Sequence, residues 1–490
     1  MPGGRADGAR AGRAGRALTQ EYRERKKQEG DATMRITRRH YEVDMLNGPL
    51  VRSILVFSVP LMLSGILQLL FNAADIVVVG QFAGSTSLAA VGSTGALINL
   101  IVNVFMGMSI GASVVVARNY GAGRWKDVGE AVHTAIGLSV VCGVLVTAFG
   151  IALSRPLLEL MGTPEDVLDL AALYMKIYFG GMVATMLYNF GAAILRAVGD
   201  TRRPLYYLFI AGVVNIVLNL FFVIVLHMDV AGVALATVIS QCISAALVLL
   251  CLMRSGGAIH LELRRVRIAR DKFAEMMRVG LPAGLQGSVF SISNVLIQSA
   301  VNSFGSVVMA GNAAAANLEG FVYTAMNSIY QANLTFTSQN LGAGRYERIG
   351  RILLSCILTV TAVGLSLGLI VYALGPELLR LYTTDATVVQ MGMKRLVVIA
   401  TTYFICGWMD VLVGSLRGMG SSVVPMIVSI LGACGLRVVW IYTIFAMNRT
   451  LTMLYISYPV SWIITAAVHF ACFVVVRRKV LRAAGCELRA

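Results

Sequence analysis

Apolar runs of about twenty or more residues, each closed by a short cluster of Arg, Lys, Gly or Pro, recur along the chain from near Val51 to near Val476. A hydrocarbon core about 30 Å thick takes on the order of 20 apolar residues per helix, so the pattern predicts membrane-spanning helices. The predicted spans are 52–79, 88–117, 131–153, 170–195, 204–226, 230–253, 274–303, 309–338, 350–374, 388–415, 424–447 and 452–476. Runs longer than the minimum are accommodated by tilt or by projection past the bilayer.

The polar breaks alternate in charge. One set carries Arg118, Arg124 and Lys126; Arg196, Arg202 and Arg203; the run from Arg264 to Lys272; Arg345, Arg348 and Arg351; Arg417; and Arg477 to Lys479. The opposite set holds scattered bases such as Arg155, Arg380 and Arg449. Cytoplasmic loops retain Lys and Arg, so the first set is expected inside, with both termini.

Self-comparison finds a repeat with the second copy about 221 residues after the first. Asn119-Tyr120-Gly121-Ala122-Gly123-Arg124 recurs as Asn340-Leu341-Gly342-Ala343-Gly344-Arg345, and Leu195-Arg196-Ala197-Val198-Gly199 through Pro204 as Leu416-Arg417-Gly418-Met419-Gly420 through Pro425. Val59-Pro60 and Leu281-Pro282 mark the first helix of each half, and both prolines are expected to kink their helices. Halves with an even number of spans insert the same way up about an axis along the membrane normal and enclose a cleft. The predicted fold is all-α and polytopic, with twelve transmembrane helices in two pseudo-symmetric six-helix lobes. A basic tail occupies 1–50, the lobes 51–253 and 274–476, a flexible cytoplasmic linker 254–273, and a cytoplasmic C-terminal tail 477–490.

Composition narrows the function class. With 57% hydrophobic and 13% charged residues the chain falls well outside the soluble range of about 25% charged, which removes soluble enzymes. The net charge of +16 follows the loops and forms no patch with interleaved aromatics, so no nucleic-acid partner is expected. The cysteines sit mostly in apolar runs without Cys-x-x-Cys spacing and predict neither disulfide nor metal site. The first ~45 residues lack the apolar core of a cleaved signal peptide and read as disordered; Met34 or Met45 is a candidate start, and an anionic-lipid tether is the rival reading.

Charge inside a span costs about 2.5–3.5 kcal/mol on insertion scales, so each intramembrane charge needs a partner or a task. Asp75 lies toward the non-basic end of the first span. Asn215 and Asn219 share a face of the fifth, and Thr237 lies in the sixth at similar depth. They form a candidate cation-coupling group, with Asp75, Asn215 and Thr237 as ligands if the ion is Na⁺ and proton capture by Asp75 as the alternative; structural hydrogen bonding is the competing reading. In the second half Glu319, Asp410 and Arg437 are expected either as a buried ion-pair network or as a substrate site. In the second case one carboxylate attracts a cationic cargo while Arg437 holds the other. Gln68, Gln286, Tyr323 and Met326 are further cleft candidates, with helix packing as the rival for Tyr and Met. His133 and His469 read as locally satisfied. Gly107-x-x-x-Gly111 and Gly364-x-x-x-Gly368 indicate only close helix packing.

From about Leu50 to Val476 the chain resembles the multidrug and toxic compound extrusion (MATE) family, bacterial type. The resemblance rests on Val59-Pro60, Asp75 before Gly80, Gly121-Ala122-Gly123-Arg124, and Leu195 to Thr201 through Pro204. It implies a V-shaped pair of lobes in the bacterial inner membrane, working as a secondary active antiporter. Such a protein exports amphipathic, often cationic compounds in exchange for H⁺ or Na⁺, as a monomer in the bilayer without a cofactor. Asp75, Asn215 and Thr237 match the family's first-lobe cation site. The second acid of its fifth helix is replaced by Asn219, and the Glu that another branch carries in the seventh helix is replaced by Phe290. A flippase for a lipid-linked precursor is the alternative within this fold; it predicts a cleft rich in cations, where the sequence offers chiefly Arg437. A non-transporting receptor or enzyme finds no nucleotide loop or metal cluster in the sequence.

Overall fold

The computed structural model describes residues 41–485. The predicted disorder of the first forty residues, the Met34 start and the lipid tether lie outside the described residues.

Twelve helical spans follow one another. They are α1 (Leu50–Phe82), α2 (Gly84–Gly121), α3 (Trp125–Leu160), α4 in two pieces (Glu165–Gly180 and Met182–Ala197), α5 (Arg202–Leu220) and α6 (Asp229–Arg254). In the second half come α7 (Arg270–Asn302), α8 (Ser306–Gly342), α9 (Tyr346–Ala373), α10 (Ala386–Gly418), α11 (Val423–Met447) and α12 (Leu451–Ala483). Residues 477–483 of the expected tail continue α12 as helix. A π turn, Ile430–Gly435, interrupts α11, and another, Phe221–Val225, extends α5. The two pieces of α4 meet at 47° where Gly180 and Gly181 adjoin, and a Cβ on Gly181 would press into Val238 of α6. Pro60 and Pro282 lie within continuous, unbroken helices.

Among the described residues nine single helices are long and apolar enough to cross a membrane, and the bent α4 makes ten. The other two, α7 and α8, have the length, 33 and 37 residues, but are studded with Gln286, Asn294, Gln298, Asn312, Glu319 and Asn327. Those six side chains line one cavity, which gives the polar groups of these two helices a common surface to face.

Each lobe has its own apolar core, yet the first helix of each half crosses into the other. Ile54 and Phe57 of α1 belong to the second lobe's core, where Phe57 meets Phe336 edge-on at 5.8 Å between centroids. Met276 of α7, the counterpart of Ile54 when Pro60 is set on Pro282, belongs to the first lobe's core. The lobes are thus interlocked at the end that carries the basic loops.

The glycines of the repeated loops divide their work. Gly123 and Gly344 take left-handed φ of 67° and 70°, which lets the helix end in a tight turn, with Arg124 N donating to Asn119 O at 3.1 Å and Arg345 N to Asn340 O at 2.8 Å. Gly121 and Gly342 instead provide closeness. A Cβ on Gly121 would overlap the carbonyl of Gln339, and one on Gly342 the carbonyl of Arg118. Gln339 and Arg118 are themselves repeat partners, so the two helix ends cross reciprocally, as isologous surfaces about a twofold do. Further along, Gly107 and Gly111 of α2 face Gly284, Gly280 and Met276 of α7 with backbone against backbone. The Gly107-x-x-x-Gly111 spacing is therefore the seam between lobes. Across the axis, the counterparts of Gly280 and Gly107 are Ser58 and Ser328, and here Ser58 Oγ donates to the Ser328 carbonyl at 3.5 Å.

Inter-lobe hydrogen bonds among the described residues end at Ser288 Oγ to Leu100 O, 3.4 Å, and Asn103 Nδ2 to Ser291 Oγ, 3.3 Å, near mid-helix. Beyond them no hydrogen bond joins the lobes among the described residues.

Residues 41–49, grouped by sequence with the tail, form a bound strap. Val43 N donates to Gly199 O of the first lobe at 3.2 Å. In the second lobe Asn340 Nδ2 donates to Met45 O at 3.1 Å, Arg345 Nη1 to Leu46 O at 2.6 Å, and Arg348 Nη2 to Gly48 O at 3.0 Å. Met45 is fully buried. Asp44 resists desolvation and is held below the usual carboxylate range by the N–H groups of Asn47 and Leu46 and by the charge of Arg348. The linker is likewise bound. His133 Nε2 accepts from Glu262 N at 3.1 Å while its Nδ1 meets Gly129 O at 2.7 Å, and Thr134 Oγ1 accepts from Ala269 N at 3.2 Å. It lies along α3 instead of hanging free, because Ile259 and Leu261 are buried.

The two glycine roles separate experimentally. Gly123→Ala, with open space around its Cβ, should cost only backbone strain, about 1–2 kcal/mol. Gly121→Ala must move a whole helix and should lower the thermal unfolding midpoint in detergent further; the reverse order would refute the seam.

Candidate functional site

The four residues singled out in the first half converge. Asp75 of α1 is buried, as are Asn215 and Asn219 of α5, and Thr237 of α6 is half-buried. The spacing of four residues puts both Asn side chains on one face, toward α1 and α6. Asn219 Nδ2 donates to Asp75 Oδ1. Thr237 Oγ1 lies 3.4 Å from Asp75 Oδ2 and also bonds Val233 O at 3.0 Å. Asn215 Nδ2 donates to Thr237 Oγ1 at 3.4 Å, and Asn219 Nδ2 also reaches Asn215 Oδ1 at 3.3 Å. Tyr174 and Tyr178 of α4, stacked at 6.1 Å, stand near enough to interact electrostatically with the carboxylate; sequence reading did not find them, since a Tyr in an apolar run gives no signal. Gly212 brings α5 against Phe71 of α1, leaving no room for a Cβ.

One carboxylate and three neutral groups make a site of charge −1. An amide in the second acid's position changes what the site offers, because it presents a donor to Asp75. Turning the amide would set oxygen against oxygen, so the donor orientation is the one that satisfies the carboxylate. Asn219 Oδ1 is then left buried with no donor. Among the described residues no group of three or more His, Cys, Asp or Glu could hold a metal.

The second half differs. Within it lies a cavity of about 680 Å³, a size suited to drug-like molecules. It runs from Val301 and Asn312, near the non-basic ends of α7 and α8, down to Gln286, Tyr330 and Arg417. One face of α10 supplies Arg395, Ile399, Tyr403, Cys406, Asp410, Val413 and Arg417, three or four residues apart as a single helical stripe requires. Tyr403 stacks on Trp462 at 5.4 Å and on Tyr323 at 6.3 Å, while Tyr458 meets Trp462 at 5.7 Å, so one wall is aromatic.

The charges are not arranged as the sequence suggested. Glu319 is held by Arg395, with Nε to Oε1 at 3.0 Å and Nη2 to Oε2 at 2.7 Å, and Arg395 Nη1 also bonds Asn312 Oδ1 at 2.8 Å. The two-point fork matches a carboxylate and leaves Glu319 unavailable to a cationic cargo. Arg437 holds no carboxylate. Its Nε donates to Ser461 Oγ at 2.9 Å and its guanidinium lies over Tyr458 at 4.2 Å. Arg417, expected in a loop, is buried, with Nη1 donating to Tyr330 Oη at 2.7 Å and Nη2 to Gln286 Oε1 at 2.9 Å. Asp410 lines the cavity with Oδ2 unpartnered. Gln286 and Tyr323 line it as expected, and so does Phe290. Met326 does not; it is packed against Gly364 and Gly407 in the lobe core. Gln68 is exposed on α1, outside the cavity lining.

Arg395 and Arg417 were the residues missed. Each sits near an end of its span, where basic residues ordinarily mark the interface. The signal that finds them is the stripe itself, Arg395, Tyr403, Asp410 and Arg417 in seven- and eight-residue steps.

Breaking the Arg395–Glu319 pair from one side should be costly. Arg395→Gln is expected to destabilise by about 3–5 kcal/mol, since it strands a buried carboxylate, and the Arg395→Gln/Glu319→Gln double variant by less than the sum of the singles. Thermal unfolding of the four proteins checks this, and additive losses would show the pair to be uncoupled.

The MatE family model matches the chain twice, over residues 60–221 and 282–443, so each match starts at the repeated proline of its half and spans one copy of the repeat. Probable multidrug resistance protein YoeA of Bacillus subtilis (strain 168) is 24% identical over 436 residues, covering 87% of this chain and 94% of its own. Probable multidrug resistance protein YpnP of the same organism is 28% identical over 394 residues, covering 80% and 88%. A solved multidrug resistance MATE family transporter of the MOP superfamily, in an outward-facing conformation, superposes with a TM-score of 0.83 at 23% identity, covering 90% of this chain and 98% of that one.

Proposed function

Because this chain belongs to the MatE family, a family of multi-pass membrane transporters and not of enzymes, we propose that it is a secondary active antiporter that exports amphipathic small molecules against inward flow of H⁺. The observation that carries the reading is the convergence of Asp75, Asn215, Asn219 and Thr237 at one buried carboxylate, in the lobe opposite the cavity. A hard cation such as Na⁺ needs several oxygens converging on it, and here the Asn219 amide already points a donor at Asp75. A single proton exchanged on Asp75 needs no such cage. The basic loops are read as cytoplasmic, with both termini inside a bacterial inner membrane and the protein working as a monomer. The close backbone seam at the basic-loop end then reads as a closed cytoplasmic side and this as an outward-open state. Alternating access requires the seam at Gly107, Gly121, Gly284 and Gly342 to open while the far end closes, each ligand favouring one arrangement.

A flippase for a lipid-linked precursor is the second reading. It gains from Arg395, Arg417 and Arg437 lining one cavity, more cation than the sequence suggested. The drug-like volume and aromatic wall favour the exporter.

Purified protein in liposomes should move a fluorescent amphipathic probe when a pH gradient alone is imposed and not when a Na⁺ gradient alone is imposed. Asp75→Asn at equal reconstitution should bring flux to the background of empty liposomes. Flux driven by Na⁺ alone would overturn H⁺ coupling; an Asp75→Asn protein that still responds to the gradient would overturn the site; flux under neither gradient would favour the flippase.

A further inference from the structure

The cavity of the second lobe is out of charge balance. Arg395 and Glu319 neutralise each other through two hydrogen bonds, leaving Arg417 and Arg437 against the single carboxylate of Asp410. Among the described residues neither guanidinium forms an ion pair. Their partners are neutral: Tyr330 and Gln286 for Arg417, Ser461 for Arg437. Arg437 lines the cavity and uses only its Nε; its two terminal nitrogens form no hydrogen bond among the described residues. A buried guanidinium without a counter-ion is expensive in a membrane protein, and a planar fork with free N–H groups is built to take a carboxylate or phosphate oxygen pair. The surrounding wall is Tyr403, Tyr458 and Trp462, with the Arg437 guanidinium itself over the Tyr458 ring. A π turn in α11 ends at Gly435, two residues before Arg437, the kind of irregularity that helices carry where a side chain must be aimed.

We propose that this cavity binds the anionic end, carboxylate or phosphate, of an aromatic amphipathic substrate, with Arg437 as the anchor, Arg417 supplying a second positive charge from the inner end, and the Tyr403–Tyr458–Trp462 wall holding the ring. Asp410, seven residues from Arg417 on the same face of α10, tempers the field and disfavours a second negative charge near it. A cation finds one carboxylate there and two guanidinium groups, so charge selection runs opposite to the cationic cargo expected from the sequence. The identification of this cargo as the exported one rests on the exporter reading above; the binding does not.

Three probes share one ring system and differ in charge: 1-naphthoate, 1-naphthyl phosphate and 1-naphthylmethylammonium. Binding to the detergent-purified full chain is read from quenching of tryptophan fluorescence, since Trp462 forms part of the wall. At least one of the two anions should bind about tenfold or more tighter than the ammonium, and which anion is tighter identifies carboxylate or phosphate as the natural group. Arg437→Gln should weaken the anion by about tenfold or more and Arg437→Lys by less, because the point charge remains without the fork. Asp410→Asn should tighten it. Ammonium binding as tight as either anion, or anion binding unchanged in an Arg437→Gln protein with a normal melting curve, would overturn the proposal. Should Arg437→Gln fail to fold, Asp410→Asn decides, and unchanged or weaker anion binding there overturns it. No gradient is present in this assay, so its outcome is independent of whether Asp75 couples to H⁺.

Discussion

Everything in this molecule depends on two helix ends being allowed to touch backbone to backbone. Gly121 against the Gln339 carbonyl and Gly342 against that of Arg118 are one contact made twice, because the chain carries the same loop in both halves. A Cβ at either position would push the lobes apart by the width of a methyl group, and the displacement would propagate along α2 to Gly107 and Gly111, where α7 is equally close. Small residues at such crossings let dispersion contacts accumulate where no hydrophobic drive exists between helices in lipid. The exchange of Ile54 and Met276 between cores follows from the same closeness: helices that approach this tightly at one end must plant their first turns in the partner lobe.

Duplication gave both lobes one scaffold, and the polar residues then separated their duties. The first lobe holds a lone carboxylate wrapped in amides and a hydroxyl. The second, in the corresponding interior, holds three arginines, two acids and an aromatic wall. Arg437 stands one residue past the repeat counterpart of Asn215, so where one half places an amide of the Asp75 cluster the other places a cation beside the matching position. The seam shows the same divergence, with glycine against glycine at Gly107–Gly280 and serine against serine at Ser58–Ser328. A glycine contact can slide without losing a bond, whereas the serine contact has a hydrogen bond to break.

Most of the architecture was legible because lipid imposes length and apolarity on each span and duplication prints its register in glycines. Asp75, Asn215, Asn219 and Thr237 were legible as a set for a related reason: a charge in an apolar run needs partners, and the candidates at the same depth were few. The second-lobe site was only half legible. Glu319, Asp410 and Arg437 stood out, but their pairing depended on Arg395 and Arg417, which lie near span ends where a base is ordinarily an interface marker. Met326 failed as a cavity residue for the opposite reason, since an uncharged side chain carries no cost that reveals which way it points. The order of residues 41–49 was hidden as well. A run that reads as tail by composition is held by carbonyl oxygens, which every residue has and no sequence pattern displays.

That strap runs between Gly199 of one lobe and Asn340, Arg345 and Arg348 of the other, with Met45 sunk in the core between its polar bonds. It bridges the same end that must separate if the cleft is to change sides. If the lobes rock as proposed, a bridge of carbonyl bonds and one buried methionine stands in series with that motion: it touches neither candidate site, yet parting it would add to the barrier between two orientations. Weakening those bonds would then alter the rate of exchange between orientations and leave the lining of the cavity as it is.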